Sequence, residues 1–598
     1  MSEPREVLLL PAPREIEWGG DGFHGSGPPV SFHSDGDLPA EGFELRVGAA
    51  GVEIRHADAD ARRYAEATLA QLKRQFPDAL PGLCIRDWPD FPVRGFMLDV
   101  SRDRVPTRET LERLVGLLAL LRINHFELYT EHTFAYAEHR VVWEKASPLT
   151  PDDIRWLDAL CREQGIELVA NQNAFGHMGR WLEHPEYRDR AEAPEGWKAP
   201  WGAQLAPGVL APSEANADFV LGLIRELLPN FESRAINIGC DETFELGQGK
   251  SREDVEARGS GPVYVEYLCR LLDALHEEGR EVLFWGDIVR QHPELVSSLP
   301  RQHTTALVWH YEAPVRGELT LSPEVRKTLE TFGMTEATLR GFTGHVAPFV
   351  EHGFPYWVCP GTSTWNTLIG RLPNAFENMR DAVEVGLEEG AGGVLITDWG
   401  DNGHMAPPSV SFLPLSYGAA IAWCQQSNRD LDVPRALDEF VFEDAAGEIG
   451  SVLDRLGHLH ALPGLQTPNG SPLQFALLRD NMLARFQGGA VDEAGVNQVL
   501  EELGEAEDCL QRARPGCVDG EVIRRELAQA IRMARHGAWR IASQAGIPSP
   551  GAEELERDLE QCIAGQRACW LERSRPGGLE DSIGRITPVV KPEPAAAS

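Results

Sequence analysis

Between residues 93 and 399 short apolar runs alternate with amphipathic stretches, and no other feature restricts the fold of this 598-residue chain so tightly. The runs 93–100, 125–130, 167–173, 235–239, 281–287, 306–311, 356–360 and 393–399 have the length and apolar content of buried strands. Between them, 108–121, 151–165, 215–231, 263–279 and 374–390 place apolar residues at helical spacing. Strand then helix, repeated, builds a parallel sheet with crossover helices, and eight such units predict a closed (β/α)8 barrel rather than a doubly wound sheet. Neither a G-x-G-x-x-G after the first strand nor a G-x-x-x-x-G-K-[ST] occurs, which weakens a nucleotide-binding alternative.

The flanks read differently. Residues 1–92 mix short alternating strands (Phe43-Glu-Leu-Arg-Val, Val52-Glu-Ile-Arg) with one helix-like segment, 59–76, and predict a small α+β domain. It ends at Asp87-Trp-Pro-Asp-Phe-Pro-Val-Arg94, where two prolines favour extended linker backbone. The barrel is expected over 93–429. From 430 to 598 strand signals vanish, and 433–442, 446–458, 471–486, 496–512, 521–545 and 552–571 read as amphipathic helices, with a frayed tail from Thr587. Those helices must bury their stripes on the barrel or by pairing two protomers, so a homodimer is one expectation.

With 56 Lys+Arg against 92 Asp+Glu the formal charge is −36, which repels nucleic acid and anionic membranes. No apolar stretch approaches the ~20 residues of a membrane span. The ten cysteines form no Cys-x-x-Cys pair, so neither zinc nor a disulfide framework is signalled. Reduced thiols and an N-terminus without a long apolar core lead us to expect a cytoplasmic protein without cofactor or metal.

Unusual residues fall where the expected strands finish: Asp99, Ser101 and Arg102; Glu131 and His132; Asn173 and His177; Asp241 and Glu242; Trp285 and Asp287; Trp309 and Tyr311; Trp365; Asp398, Trp399 and Asp401. The C-terminal strand ends of a barrel carry its chemistry, so the adjacent Asp241 and Glu242 are candidates for acid/base work, with helix capping as the plainer reading. A single Trp is most often packing. Tryptophans and carboxylates recurring around one mouth suit a sugar, whose apolar face stacks on indole while its hydroxyls bond polar side chains. For His132, His310 and His404 a hydrogen-bonded packing role is expected over metal binding, because no helical His-x-x-x-His pair accompanies them.

The runs Phe91-Pro-Val-Arg-Gly-Phe-Met-Leu-Asp-Val-Ser-Arg102, Ile238-Gly-Cys-Asp-Glu242 and Trp285-Gly-Asp287 together resemble glycoside hydrolase family 20, the β-N-acetylhexosaminidases, in order and spacing over about 87–423. The resemblance implies a substrate with a terminal β-linked N-acetylhexosamine and a mechanism in which its own acetamido oxygen attacks C1. It further implies that Asp241 orients and stabilises the acetamido group and that Glu242 is the general acid/base. Arg94 and Asp401 would hold distal hydroxyls, Trp285, Trp309 and Trp399 would wall the pocket, His177 would tune Glu242, and Tyr311 is the nearest counterpart of the tyrosine that bonds the acetamido carbonyl. Helical C-terminal extensions occur in branches of that family resembling intracellular hexosaminidases.

The sequence also departs from that family. Ala170-Asn-Gln-Asn-Ala-Phe-Gly-His177 carries Asn171 and Asn173 where many members have acids. Either Glu131 or His132 would then orient His177. Two other functions stay open at this level: a glycosidase in which Asp398 or Asp401 attacks across the mouth, and a catalytically silent sugar-binding barrel.

Overall fold

The computed structural model describes residues 7–199, 203–317, 334–467, 469–478, 488–586 and 588. Eight strands close into a parallel barrel: β1 (Val93–Asp99), β2 (His125–Tyr129), β3 (Glu167–Asn171), β4 (Ala235–Asn237), β5 (Glu281–Trp285), β6 (Thr304–Trp309), β7 (Tyr356–Cys359) and β8 (Gly393–Asp398), each beside its sequence neighbour, with β8 paired to β1. The crossover helices start where the sequence supplies caps. Thr150 and Asp153 form a reciprocal capping box with Pro151 at the first helical position, and Thr107 and Ser213 cap the helices Arg108–Leu120 and Glu214–Leu227. The β5–β6 crossover is the exception, reduced to one helical turn, Asp287–Arg290, and a 3-10 segment, Pro293–Ser298.

Period-2 alternation sorts the strand residues. Met97, Tyr129, Val169, Leu283, Leu307 and Leu395 fill the lumen, while Phe96, Phe126, Leu168, Ile236 and Phe284 face the helices. One polar layer interrupts the lumen. Glu127 is fully buried there and accepts from Asn171 Nδ2 at 2.8 Å and Asn237 Nδ2 at 2.9 Å, with His125 Nε2 2.7 Å away. A buried carboxylate is tolerated because every oxygen is bonded.

The N-terminal domain is a five-stranded sheet ordered Glu15–Trp18, Leu83–Asp87, Phe43–Gly48, Gly51–His56, Val30–Ser34, covered by helix Ala59–Gln75. Its core takes in Trp423 from the last barrel helix. Two buried charges lock it to the barrel: Asp87 pairs with Arg122 and accepts from Trp423 Nε1 at 3.0 Å, and Arg94 pairs with Glu41 at 2.8 Å.

This location corrects the expected role of Arg94. It is the second residue of β1, on the parity of Phe96 that points out of the lumen, and its Nε donates to the Arg122 carbonyl at 2.9 Å. At ~3.3 Å per residue it lies on the order of 15 Å from the Asp99 end, so it fastens the base of the barrel and reaches no sugar at the mouth.

The helices Val433–Phe440, Ile449–Gly457, Glu493–Arg512, Gly520–Gln544 and Ala552–Arg573 do not stand apart. Ile523 and Leu527 belong to the same continuous core as Val115 and Leu118 of the first barrel helix. Their apolar stripes are thus buried against the chain's own barrel, the first of the two expected arrangements. Of the expected helix 471–486 the described residues show one turn, Pro472–Phe475; 479–487 and the tail from Thr587, Pro588 apart, lie outside the described residues.

Removing one partner of a buried ion pair costs about 3–5 kcal/mol, because the other charge is left uncompensated. Arg94→Ala is therefore expected to lower the urea midpoint and the melting temperature; an unchanged midpoint would show that the Arg94–Glu41 pair does not hold the two domains.

Candidate active site

The mouth is built from the turn that follows β4. Gly239, Cys240 and Glu242 all take left-handed backbone conformations, with φ of 64°, 69° and 50°. For Cys240 and Glu242 this costs on the order of 1–3 kcal/mol each, and such strain clusters at functional sites. Gly239 has no alternative, since a Cβ there would sit 2.5 Å from the Asn173 side chain. The turn is held by Tyr264, whose hydroxyl donates to the Cys240 carbonyl at 2.8 Å, and by the Glu242 amide, which donates to Asp287 Oδ2 at 3.1 Å.

The result separates two adjacent carboxylates. Asp241 is buried, and its Oδ1 accepts from Asn173 Nδ2 at 2.9 Å while Oδ2 lies 3.2 Å from His177 Nε2. Glu242 keeps 40% of its side chain exposed, with Oε2 3.4 Å from the same imidazole nitrogen. Burial alone would raise the Asp241 carboxyl, but the His177 charge and the Asn173 amide hold it below the usual range. Burial would likewise depress His177, yet Asp241 and Glu242 keep its imidazole well above the usual value. Asp287 shows the opposite outcome: burial and the nearby Asp241 charge push it up to about 8. One buried acid is thus ionised and its neighbour protonated at neutral pH.

Asn173 explains one departure from the family pattern. Its amide oxygen accepts from the Cys240 amide at 3.1 Å while its nitrogen donates to Asp241, a pairing that an aspartate would replace with repulsion. Asn171 sits a step deeper, in the Glu127 layer. The open choice beside His177 resolves to Glu131, whose Oε1 is 3.7 Å from Nδ1; His132 turns away to Asp103 at 2.7 Å.

Arg102 stands at the mouth in place of Arg94. Its guanidinium meets Asp99 at 3.0 Å, Asp401 at 3.2 Å and Glu131 at 3.4 Å, and lies 5.6 Å from the centres of both the Tyr129 and Trp399 rings. Parity in β1 was the signal available: Asp99 shares the lumen face with Met97, so the chain leaving it enters the mouth. Trp285 lies 6.0 Å from Trp399, Tyr129 meets Trp399 edge-on at 4.6 Å, and Trp309 stacks on Tyr311 at 5.2 Å. Tyr311 also meets Trp365 at 5.1 Å and Trp399 at 6.5 Å, so the expected aromatic residues form one connected wall. A cavity of about 540 Å³ opens over Arg102, Glu131, His177 and Glu242.

Asp398 does not belong to this group. It points to the outer side of β8, where its Oδ1 accepts from Thr362 at 2.6 Å and Thr364 at 2.7 Å. Among the described residues one set, His536, Asp558 and Cys562, brings ligand-type atoms within 4.8 Å of one another. His536 Nδ1 lies 2.8 Å from Asp558 Oδ2 and Cys562 Sγ donates to the same oxygen at 3.7 Å, so the three are already bonded to one another, with Arg540 on the far ring nitrogen, Nε2, at 2.9 Å.

A family model described as "Glycosyl hydrolase family 20, catalytic domain" matches residues 91–324, and one described as "Glycosyl hydrolase family 20, domain 2" matches residues 9–88. The chain is 34% identical over 300 residues to a beta-hexosaminidase of Porphyromonas gingivalis, covering 44% of this chain and 38% of that protein. It is 24% identical over 277 residues to hexosaminidase D of Homo sapiens, covering 44% of this chain and 54% of that protein. It thus spans about half the length, or less, of these two curated relatives. In fold it resembles the chitobiase of Flavobacterium johnsoniae, with a TM-score of 0.56 at 14% identity over 94% of this chain and 98% of that one.

The raised Asp287 makes a pH prediction. Between the unfolded carboxyl value of ~4 and about 8 the folded state holds a proton that the unfolded state releases, so this residue's contribution to stability falls as pH rises through that window. Asp287→Asn removes the loss, and its melting temperature is expected to gain on the parent between pH 5 and pH 8; a constant difference would show that Asp287 is ionised in the fold.

Proposed function

Because the chain belongs to glycoside hydrolase family 20, we propose that it is an exo-acting β-N-acetylhexosaminidase that removes terminal β-linked N-acetylglucosamine or N-acetylgalactosamine with substrate assistance. The observation that carries this reading is the division of labour between Asp241 and Glu242: one carboxylate buried and held ionised against His177, its neighbour open to the cavity. The acetamido oxygen attacks C1 as the C1–O bond to the leaving group breaks and Glu242 gives its proton to the departing oxygen. The cyclised sugar then carries positive charge on its nitrogen, whose N–H faces the fixed negative charge of Asp241. Water next attacks C1 and surrenders a proton to Glu242, the C1–O bond of the ring opens, and the acetamide is restored with retention at C1.

Supporting contacts have assignable tasks. Arg102 and Asp401 offer paired donors and acceptors to distal hydroxyls, and the partly exposed Trp309 and Trp399 supply apolar faces, with the fully buried Trp285 packed beside Trp399. Against a protein nucleophile, Asp398 points outside the barrel and Asp401 is already engaged by Arg102 at 3.2 Å. Ten cysteines without a disulfide support a cytoplasmic setting, which cell fractionation would check.

Glu242→Gln is expected to lower kcat by about 10²–10⁴-fold on glycosides with poor leaving groups and far less on those that depart unaided. Asp241→Asn should lower kcat more than it raises KM, because its interaction strengthens with the charge on the cyclised sugar. Turnover of the matching glycoside without its acetamido group at a comparable rate, or inversion of the first product seen by NMR, would overturn the reading.

A further inference from the structure

The cavity that contains Glu242 is also lined by Arg180, Arg188, Asp581 and Arg585. The last two belong to the far end of the chain. After Arg573 the backbone crosses the loops that follow the first barrel strands: the Arg575 amide donates to the Val105 carbonyl at 2.8 Å, its guanidinium reaches Asp153 at 2.9 Å, and the Gly577 amide donates to Ser147 Oγ at 2.9 Å. Gly578 then turns the chain at φ 73°, so close to the loop that a Cβ there would lie 2.5 Å from Asp103 Cβ and 3.0 Å from the Arg102 carbonyl. The short helix Leu579–Gly584 that follows packs on Gly403, where a Cβ would lie 3.2 Å from Ser582 Cα and 3.0 Å from Arg585 Cδ. Asp581 and Arg585 are therefore held at the rim by backbone hydrogen bonds and close packing, next to the residues that carry Arg102 and Asp401.

We propose that this C-terminal segment builds the leaving-group subsite, with Asp581 and Arg585 binding a neutral sugar released by the enzyme. The inference rests on the hexosaminidase reading above and names its substrate class: short oligosaccharides ending in N-acetylhexosamine. Glu242 protonates the glycosidic oxygen, so the leaving group lies in the part of the cavity onto which its carboxyl opens. That part alternates charges already in pairs. Asp581 accepts from Arg585 at 3.1 Å and lies 3.9 Å from Arg180, which is also 3.2 Å from Asp103. Compensated pairs present donors and acceptors to hydroxyls and give no net charge to select an ionic group. Leu205, Pro207 and Val209 add an apolar side for the C–H face of a pyranose.

The test compares two substrates of the full-length protein: N-acetyl-β-glucosaminyl fluoride, whose leaving group is one atom, and N-acetylglucosamine disaccharides linked β-1,3, β-1,4 and β-1,6. For Arg585→Ala and Asp581→Asn, kcat/KM on the best disaccharide should fall about tenfold or more beyond any fall on the fluoride, the size expected for a charged hydrogen bond. Both side chains are exposed, and melting temperatures report whether the fold is kept. Equal falls on both substrates, or no fall on the disaccharide, overturn the subsite. So does a parent enzyme that cleaves the fluoride and none of the disaccharides. A parent inert on every one of these sugars instead removes the hexosaminidase reading, and the subsite with it.

Discussion

The contact between Asp241 and His177 decides which of two buried acids keeps its charge. Two acids, Asp241 and Asp287, are buried on neighbouring strand ends, and a low-dielectric interior cannot hold both ionised without compensation. Asn173 donates to the first and His177 places a positive charge 3.2 Å from it, while the second is offered mainly the Glu242 amide. The charge therefore settles on Asp241. Glu131 faces the other side of His177, so the imidazole is bracketed by carboxylates along with Glu242. The left-handed turn at Cys240 and Glu242 is the geometric counterpart: it sends one carboxylate inward and the next outward, which ordinary strand alternation would have placed less closely.

Much of this was legible in the residues, and the parts that were not share a cause. The eight barrel strands follow from apolar runs of strand length, and Asp241, Glu242 and the tryptophans follow from their position at strand ends. Arg94 was misplaced because a motif conveys order and not facing. Its parity with Phe96, together with its place at the start of β1, directs it out of the lumen and toward the N-terminal domain, where Glu41 awaits it from another region of the chain. Asn173 reads as the loss of an acid until its partners are known; its amide then donates to Asp241 and accepts from Cys240 together, which an ionised aspartate cannot do.

The C-terminal region was legible as helices and illegible as part of the mouth. Amphipathic periodicity states that a stripe must be buried, without stating against what. Here the stripes merge with the outer layer of the barrel, so the helical region and the barrel share one core, whereas the N-terminal sheet keeps its own. Nothing local marks Gly578 as a contact with Asp103, more than four hundred residues earlier; adjacent glycines at 577 and 578 read as a loop.

This long-range closure bears on how the site is kept in shape. Arg102 carries three carboxylate neighbours, and the backbone that presents it is exposed on a loop unless something covers it. The segment after Arg573 covers it, bonding to Val105 and seating Gly578 against the Arg102 carbonyl. The segment is anchored in turn by Arg573, buried and paired with Glu526 at 2.9 Å and Asp519 at 2.8 Å, while Asp519 also meets Arg113 of the first barrel helix at 3.0 Å. A chain of buried charges thus ties the helical region to the first barrel helix, just before the segment meets the loop that holds the mouth arginine. Breaking it at Arg573 would leave Glu526 uncompensated in the interior and release the segment, so the geometry of Arg102 depends on packing decided outside the barrel.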